Sequence, residues 1–518
     1  MPVQTRIKVS EYHDSVSLML AARELARQPG IADAAVIMAT EANKNILREA
    51  GLLTPEAQAA AANDLVIAVS GEAGALAAAL AQAEALLQKK SAAEPGGSGS
   101  AAYRPKTLRA AVRSHPQANL AVISVAGRYA AGEAWEALHH GQHVLLFSDN
   151  VSLEDEIALK QYAVAHGLLL MGPGAGTAIL NGVALGFANV IPPGPVGIVS
   201  AAGTGLQEVS TLLARAGVGI TQGIGTGGRD LKEAVGGLMM LAGLKALQAD
   251  PATQVIVLIS KPPAEAVAQR VLAQAAQSEK PTVICLLGIE PGAVRLEHPA
   301  LRLVRTLEDA ARLAAEAAGQ PAKPPAAAES AERVTRLLGR LRPGQRNLRG
   351  LFSGGTLCYE AQVIWKERLA RPVFSNAPLE AAQQLADSLN SQGHTAIDLG
   401  EEEFTVGRPH PMIDNDLRIR RMLQEARDPE TAVILLDVVL GYGAHPDPAA
   451  ELGPAVQQAR ALAEAEGRGL VFVASLTGTE QDAQRLSVQA QALEAAGVEV
   501  CESNAAAARL VAGIVEDL

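Results

Sequence analysis

Two stretches of this chain place glycine and hydroxyl residues where an apolar strand runs into a helix. In Val196-Gly-Ile-Val-Ser200-Ala-Ala-Gly203-Thr204-Gly205 a short β-branched run ends in small residues before a helical pattern, and Gly350-Leu-Phe-Ser353-Gly354-Gly355-Thr356 repeats the device. Glycine lets a ligand approach the backbone, and the first-turn N–H groups with the helix dipole favour phosphate or carboxylate. The same residues also suit plain tight packing of a strand against its helix. Both readings stand for Ser200, Gly203, Thr204 and Gly205, and for Ser353, Gly354, Gly355 and Thr356.

Other reactive residues cluster in loops that follow apolar runs. Arg229 lies in Thr226-Gly-Gly-Arg-Asp230 and Lys261 follows Ser260, and each is either an anion contact or a solvated rim charge. His410 and His445 each precede a proline, which biases them towards extended loop geometry. They can act as acid and base or hold an oxyanion, or serve only as structural corners. Asp414 and Asp447 accompany them, but their spacing matches no zinc motif, and no metal is expected. Cys285, Cys358 and Cys501 are far apart with no CxxC, which suggests neither disulfides nor zinc. Cys358 sits just past the second glycine turn, where a helix start can lower a thiol pKa.

The elements that must position these residues alternate between apolar runs and helical patterns, which implies α/β domains with parallel sheets. A chain of 518 residues exceeds one core, and its 48% hydrophobic but only 3% aromatic composition leaves packing to Ala, Leu, Val and Ile. Flexible Ser91–Ser100 and proline-stiffened Gly319–Ala328 read as linkers. Expected domains are a small α/β domain at 1–90, a Rossmann-like domain at 103–192, and two further parallel-sheet domains at 194–318 and 340–518. In open parallel sheets ligands sit beyond the carboxyl ends of the strands, so the loops after each strand are the candidate site. The net charge of −11 argues against nucleic acid as a partner. With no apolar run long enough for a membrane span and no leader pattern at Met1-Pro-Val-Gln-Thr-Arg6, a cytoplasmic location is expected.

From about Tyr103 to Ile514 the order of parts is similar to succinyl-CoA synthetase: the CoA-binding and ligase domains of its α subunit, then the ligase domain that ends its β subunit. Asn119–Val125, Met171-Gly-Pro173, Pro195–Ser200 with Gly203-Thr204, and Gly223-Ile-Gly225 before Arg229-Asp230 carry the α resemblance. Gly350–Thr356 and the loop after Ala432–Val439 carry the β resemblance. The whole arrangement, with the N-terminal domain, Gly407-Arg-Pro-His410-Pro-Met-Ile-Asp414 and Gly441-Tyr-Gly-Ala-His445-Pro-Asp447, resembles the FdrA family. That resemblance implies a Rossmann-like CoA-binding domain, two flavodoxin-like ligase domains and a small N-terminal α/β domain.

The departures from the synthetase pattern matter as much. The 90 N-terminal residues have no room for an ATP-grasp domain, and no GxxxxGK[ST] P-loop occurs. Where the synthetase has a long glycine-rich phosphohistidine loop, this chain has only Ile289-Glu-Pro-Gly-Ala-Val-Arg-Leu-Glu-His298-Pro299, and His298 is too close to the next strand to swing between sites. Ser260-Lys261 stands where the synthetase has its glutamate. What survives is a phosphate-binding platform, suited to free phosphate or an acyl phosphate, with CoA admitted as a further ligand. FdrA-like proteins are associated with allantoin breakdown, as one of three subunits of oxamate carbamoyltransferase. That enzyme converts oxalurate and phosphate into oxamate and carbamoyl phosphate. The resemblance thus implies a carboxylic substrate and two partner subunits, with phosphate on the glycine turns, charge stabilisation by Arg229 and Lys261, and proton transfer or oxyanion contact by His410 and His445. A CoA ligase component and a non-catalytic regulatory protein are the alternatives.

Overall fold

The computed structural model describes residues 1–11, 15–26, 28–92, 105–290, 296, 298–320, 331–405, 409–516 and 518. Most of both expected linkers lies outside the described residues, as do Gly407 and Arg408 of the first His-Pro loop and residues 291–295 and 297 before His298. The chain forms two compact units, one of residues 1–103 with 402–410 and one of residues 104–401 with 411–518.

The first unit is built on a three-stranded antiparallel sheet in which Leu65–Gly71 lies between Val3–Lys8 and Ile31–Met38. Alternation along the central strand sends side chains to opposite faces. Leu65, Ile67 and Val69 join Leu18, Leu25, Leu76 and Leu80 from the helices Ser15–Ala26 and Ala73–Ala92. Val66 and Ala68 face Leu47, Leu52 and Ala57 on the other side. Three strands with helices match the expected α/β domain.

In the second unit, Leu120–Ile123, His143–Leu146 and Leu170–Met171 form a small parallel sheet. A seven-stranded sheet follows in the order Leu301–Val304, Thr282–Leu286, Val255–Ser260, Pro193–Ser200, Ile220–Gly225, Thr177–Leu180, Val183–Gly186. Its first five strands are parallel, and the hairpin Thr177–Gly186 closes it antiparallel. That hairpin thus belongs to the second sheet, although it precedes residue 194. A six-stranded, wholly parallel sheet follows, ordered Val373–Ser375, His394–Asp398, Asn347–Phe352, Thr431–Val439, Val471–Thr477, Val498–Cys501.

The central strands of both large sheets are buried on both faces, which explains their long apolar runs, interrupted in the six-stranded sheet by Arg349 and Asp437. Val255, Val257 and Ile259 point into one apolar cluster, while Ile256 and Leu258 point into another. The first cluster is continuous with Leu348, Phe352, Val433 and Leu435 of the six-stranded sheet. Between the sheets it takes in the helices Gly203–Arg215, Leu307–Ala317, Gly355–Arg368 and Asn504–Glu516. The two ligase-like halves therefore share one core, and the helices that follow the two glycine turns both lie inside it. No helix among the described residues is long and apolar enough to cross a membrane.

Candidate functional site

The shared helical layer brings the two glycine turns face to face. A Cβ added to Gly354 would lie 2.8 Å from Thr204 Cγ2, and one added to Gly205 would lie 3.1 Å from Thr356 Cγ2. Only glycine permits this approach of one helix start to the other. Neither helix has a side-chain cap at its first residue. The leading amides of an α-helix have no intrahelical acceptor, so those of Gly203–Gly205 and of Gly355 and Thr356 have no partner within their own helices. The hydroxyls of Thr204 and Thr356 stand beside them.

Not every residue of the two turns is open. Ser200 Oγ accepts from Ala202 N at 3.0 Å and donates to Ala202 O at 2.7 Å, so this hydroxyl is spent on shaping its own turn. In the second turn Asp437 has taken the place of a ligand. Its Oδ1 accepts from Ser353 N at 2.7 Å, and its Oδ2 accepts from Gly354 N at 2.8 Å and from Ser353 Oγ at 3.0 Å. Ser353 and Gly354, expected to bind phosphate, are therefore occupied by the chain's own carboxylate. Arg418 balances it from behind, donating to Asp437 Oδ1 at 3.1 Å and to Asn415 Oδ1 at 2.7 Å. Burial pushes the Asp437 carboxyl upward, and Arg418 with the Ser353 and Gly354 amides opposes that push.

Gly355 is the meeting point of the remaining chemistry. A Cβ there would overlap Asp398 Oδ2 and stand 3.3 Å from Lys261 Nζ. Lys261 arrives from the end of Val255–Ser260 and Asp398 from the end of His394–Asp398, so each large sheet contributes one charge to the same helix start. Burial raises Asp398 to about 7, with Lys261 opposing the shift. Its Oδ1 accepts from Gly400 N at 3.0 Å, and Asn376 brackets its backbone at 2.9 and 3.0 Å. The carboxyl is fixed with Oδ2 towards the turn. Tyr359 is half-buried one helical turn on, its ring centroid 6.0 Å from Lys261 Nζ. The result is a lysine, a carboxyl poised near neutrality and two sets of helix-start amides around one point. Such a set can hold an oxyanion and move one proton.

The other residues expected at the site have different surroundings. Arg229 Nε lies 2.7 Å from buried Glu156 Oε2, and its Nη2 donates to Val151 O at 2.8 Å. Lys160 joins Glu156, the Thr226 carbonyl and Asp230 in the same buried network. Arg229 thus ties the helix Leu153–Ala165, which packs with the small parallel sheet of the second unit, to the loop 226–230 and is not directed to the turns. His445 is buried, with Nδ1 accepting from Asp447 N at 3.1 Å and Nε2 3.2 Å from Glu451 Oε2. Its ring nitrogens thus meet its own loop and the helix Pro448–Ala465 that follows it. His410 belongs to the first compact unit and His445 to the second. Asp447 caps Pro448–Ala465 through Ala450 N, and Asp414 accepts from Asp416 N at 2.8 Å. Cys358 is fully buried, and desolvation raises its thiol well above the usual range, which removes it as a nucleophile. His298 precedes Leu301–Val304, at the amino edge of its sheet, and lies 3.6 Å from Glu279. The turns lie at the carboxyl edge, so His298 does not serve them.

Asp398, Asp437 and Tyr359 are absent from the residues that sequence reasoning selects. A signal existed for Asp437. A lone carboxylate inside Ala432-Val-Ile-Leu-Leu-Asp437-Val-Val439 must find partners when the strand is buried.

These sheets, helix layer and facing turns define a CoA-ligase-like α/β protein. The family model for CoA-ligase matches residues 351–514, and that for "AllF, heavy metal-associated domain" matches residues 1–105. An uncharacterized protein, YahF of Escherichia coli, is 44% identical over 506 residues, spanning 97% of each chain. The protein belongs to the YahF family, an FdrA/AllF-like family with a CoA-ligase domain. The alpha subunit of the ADP-forming succinate–CoA ligase of Methanothermobacter thermautotrophicus is 28% identical over 184 residues, 35% of this chain and 61% of that one. A solved ATP citrate lyase from Methanothrix soehngenii, in complex with citrate and coenzyme A, covers 41% of this chain and 37% of its own at 23% identity and a TM-score of 0.32. Despite the words in the first domain's family description, residues 1–105 contain no cysteine, and among the described residues no group of three or more metal-ligating side chains occurs. The residues of that unit do not fit a soft metal.

Proposed function

We propose that this protein is the phosphate-handling subunit of an oxamate carbamoyltransferase in allantoin breakdown, and that its reaction centre lies between the two glycine turns. The observation that carries this reading is the convergence of Lys261 and Asp398 on Gly355, where two helix starts meet. The match of residues 1–105 to an AllF domain supports the link to allantoin.

In this reading the amides of Gly203–Gly205 and of Gly355 and Thr356 hold phosphate, with Lys261 offsetting its charge. A phosphate oxygen attacks the ureido carbonyl of oxalurate, and the carbon–nitrogen bond to the oxamate moiety breaks. The proton lost by hydrogen phosphate passes through Asp398 to the departing nitrogen, giving carbamoyl phosphate and oxamate. A carboxyl near neutrality is matched to both halves of that transfer.

Reconstituted with the subunits encoded beside it, the protein is expected to form carbamoyl phosphate only when oxalurate and phosphate are both present. Lys261→Ala is expected to lower kcat/KM for phosphate by about 10²–10³, the scale of losing one charge-stabilising group. Turnover that is indifferent to Lys261→Ala would remove the assignment.

The CoA-ligase match supports a second reading, an acid–thiol ligase component. Exposed Arg128, its guanidinium 4.8 Å from the Tyr129 ring centroid in the helix that follows the edge strand Leu120–Ile123 of the small parallel sheet, supplies a cation and an aromatic face that fit the anionic and adenine parts of CoA. CoA would supply the thiol. Thioester formation with an ATP-grasp partner, in the absence of oxalurate, would favour this reading over the first.

A further inference from the structure

A second concave site lies at the opposite end of the six-stranded sheet. A cavity of 780 Å³ is lined by Arg333, Arg340, Arg342, Arg460 and Arg468, together with Leu470, Val498 and Val500. Leu470 and Val498 stand where Val471–Thr477 and Val498–Cys501 begin. The cavity therefore opens at the amino edge, whereas both glycine turns sit at the carboxyl edge. None of these arginines contributes to the site described above.

The chain as a whole carries −11, yet five arginines line this cavity against three glutamates, Glu464, Glu494 and Glu499, with Glu466 beside Arg468. The obvious objection is that the cluster neutralises itself. Glu499 meets that objection only in part. It is shared by Arg336 at 2.8 Å, Arg333 at 3.3 Å and Arg340 at 3.7 Å, so one carboxylate serves three guanidinium groups.

The arginines fall into fixed and loosely held groups. Arg468 is buried and donates to Ala426 O, Asp428 O and Glu466, which makes it a rigid wall. Arg460 has only a 3.8 Å approach to Glu464. It lies across Gly497, where a Cβ would overlap Nη1 and where φ is +89°, so this glycine both makes the turn and clears the arginine's path. Arg342 is exposed, and among the described residues its side chain has no partner. Arginine's planar fork matches carboxylate and phosphate oxygens two at a time, and two loosely held forks above a fixed third are a receptor for more than one anionic group. The cavity is of the size that small ligands occupy. Its lining holds no aromatic ring, so it offers nothing for a nucleobase to stack on.

We infer that this arginine-walled cavity is a binding site, separate from the reaction centre, for a compact polyanion bearing at least two carboxylate or phosphoryl groups. Its place at the far edge of the sheet makes the ligand an effector and not a substrate.

Calorimetric titration of the full-length protein with citrate and with tripolyphosphate separates the two sources of anionic groups, with acetate at matched ionic strength as the control. One equivalent of at least one polyanion is expected to bind, and acetate is not. The double variant Arg342→Gln/Arg460→Gln is expected to weaken that binding by about tenfold or more. Lys261→Gln, at the glycine turns, is expected to leave it unchanged. Should the double variant fold poorly, Arg342→Gln alone, whose side chain has no partner to lose, is expected to weaken binding by roughly threefold or more. The inference is overturned if neither polyanion binds at about 10 mM, if the arginine variants bind as the parent does, or if Lys261→Gln abolishes the binding that they retain.

Discussion

Asp398 couples the candidate chemistry to stability in a way that fixes the direction of a pH experiment. Its carboxyl is raised from the ordinary value to about 7, chiefly by burial. Between those two values the folded chain holds a proton that the unfolded chain has released, so stability falls as pH rises through that window. Asp398→Asn keeps the shape and the acceptor for Gly400 N but removes the ionisation. The variant is expected to gain on the parent protein as pH rises, by roughly 1.4 kcal/mol for each pH unit of that window, which makes on the order of 4 kcal/mol at pH 8. Urea unfolding at pH 5 and pH 8 measures this. The same substitution is expected to lower kcat by about 10² to 10⁴ and to remove the limb of the rate profile near pH 7. A variant that is stabilised at pH 8 but fully active would keep the buried acid and dismiss the proton relay.

The two helices that meet at the site are near copies in sequence as well as in place. Gly203-Thr204-Gly-Leu-Gln-Glu208 and Gly355-Thr356-Leu-Cys-Tyr-Glu360 share glycine, threonine and a glutamate at matching positions. Both glutamates are buried, and Asn504, at the start of a third helix, serves both. It donates its backbone N–H to Glu208 Oε1 at 2.9 Å and its side-chain amide to Glu360 Oε2 at 2.7 Å. Desolvation raises Glu208 and lifts Glu360 to about 8. By the same sign, Glu360 costs stability as pH climbs from its ordinary range towards 8, and Glu360→Gln is expected to be relatively more stable at pH 9 than at pH 5. Asn504→Ala removes the donor to Glu360 and is expected to cost about 1 to 3 kcal/mol at either pH, read as a lower urea midpoint with an unchanged slope. The glycine turns, most long strands and the parallel sheets were legible because strand and helix periods and small-residue turns are local signals. The hairpin Thr177–Gly186 and the edge strands Val373–Ser375 and Val498–Cys501 were not, since short edge strands carry too few residues for a period to show. Within the site, Lys261 was legible as a charge at a strand end. Asp398 became visible only when two sheets brought it and Lys261 to one glycine, and the diversion of Arg229 to Glu156 depended on a partner that lies 73 residues away by their numbering.

At the scale of the whole molecule, the chain passes between its two compact units at residues 103/104, 401/402 and 410/411. Each unit has its own apolar clusters, with the smaller one resting on Leu25, Leu65, Ile67 and Leu76 and the larger one on a cluster that runs through Trp365 and both large sheets. Separate cores predict separate unfolding, since cooperativity follows the continuity of packing. Scanning calorimetry of the full chain is expected to show two transitions. Ile67→Ala opens a cavity in the central strand of the smaller unit and is expected to cost that unit about 2 to 5 kcal/mol, moving its transition down by well over about 5 °C while the other stays in place. Trp365→Ala removes the largest fully buried side chain, together with its bond from Nε1 to Ala508 O at 2.9 Å, and is expected to move only the larger unit's transition by a comparable loss. If either substitution shifts both transitions together, the units unfold as one.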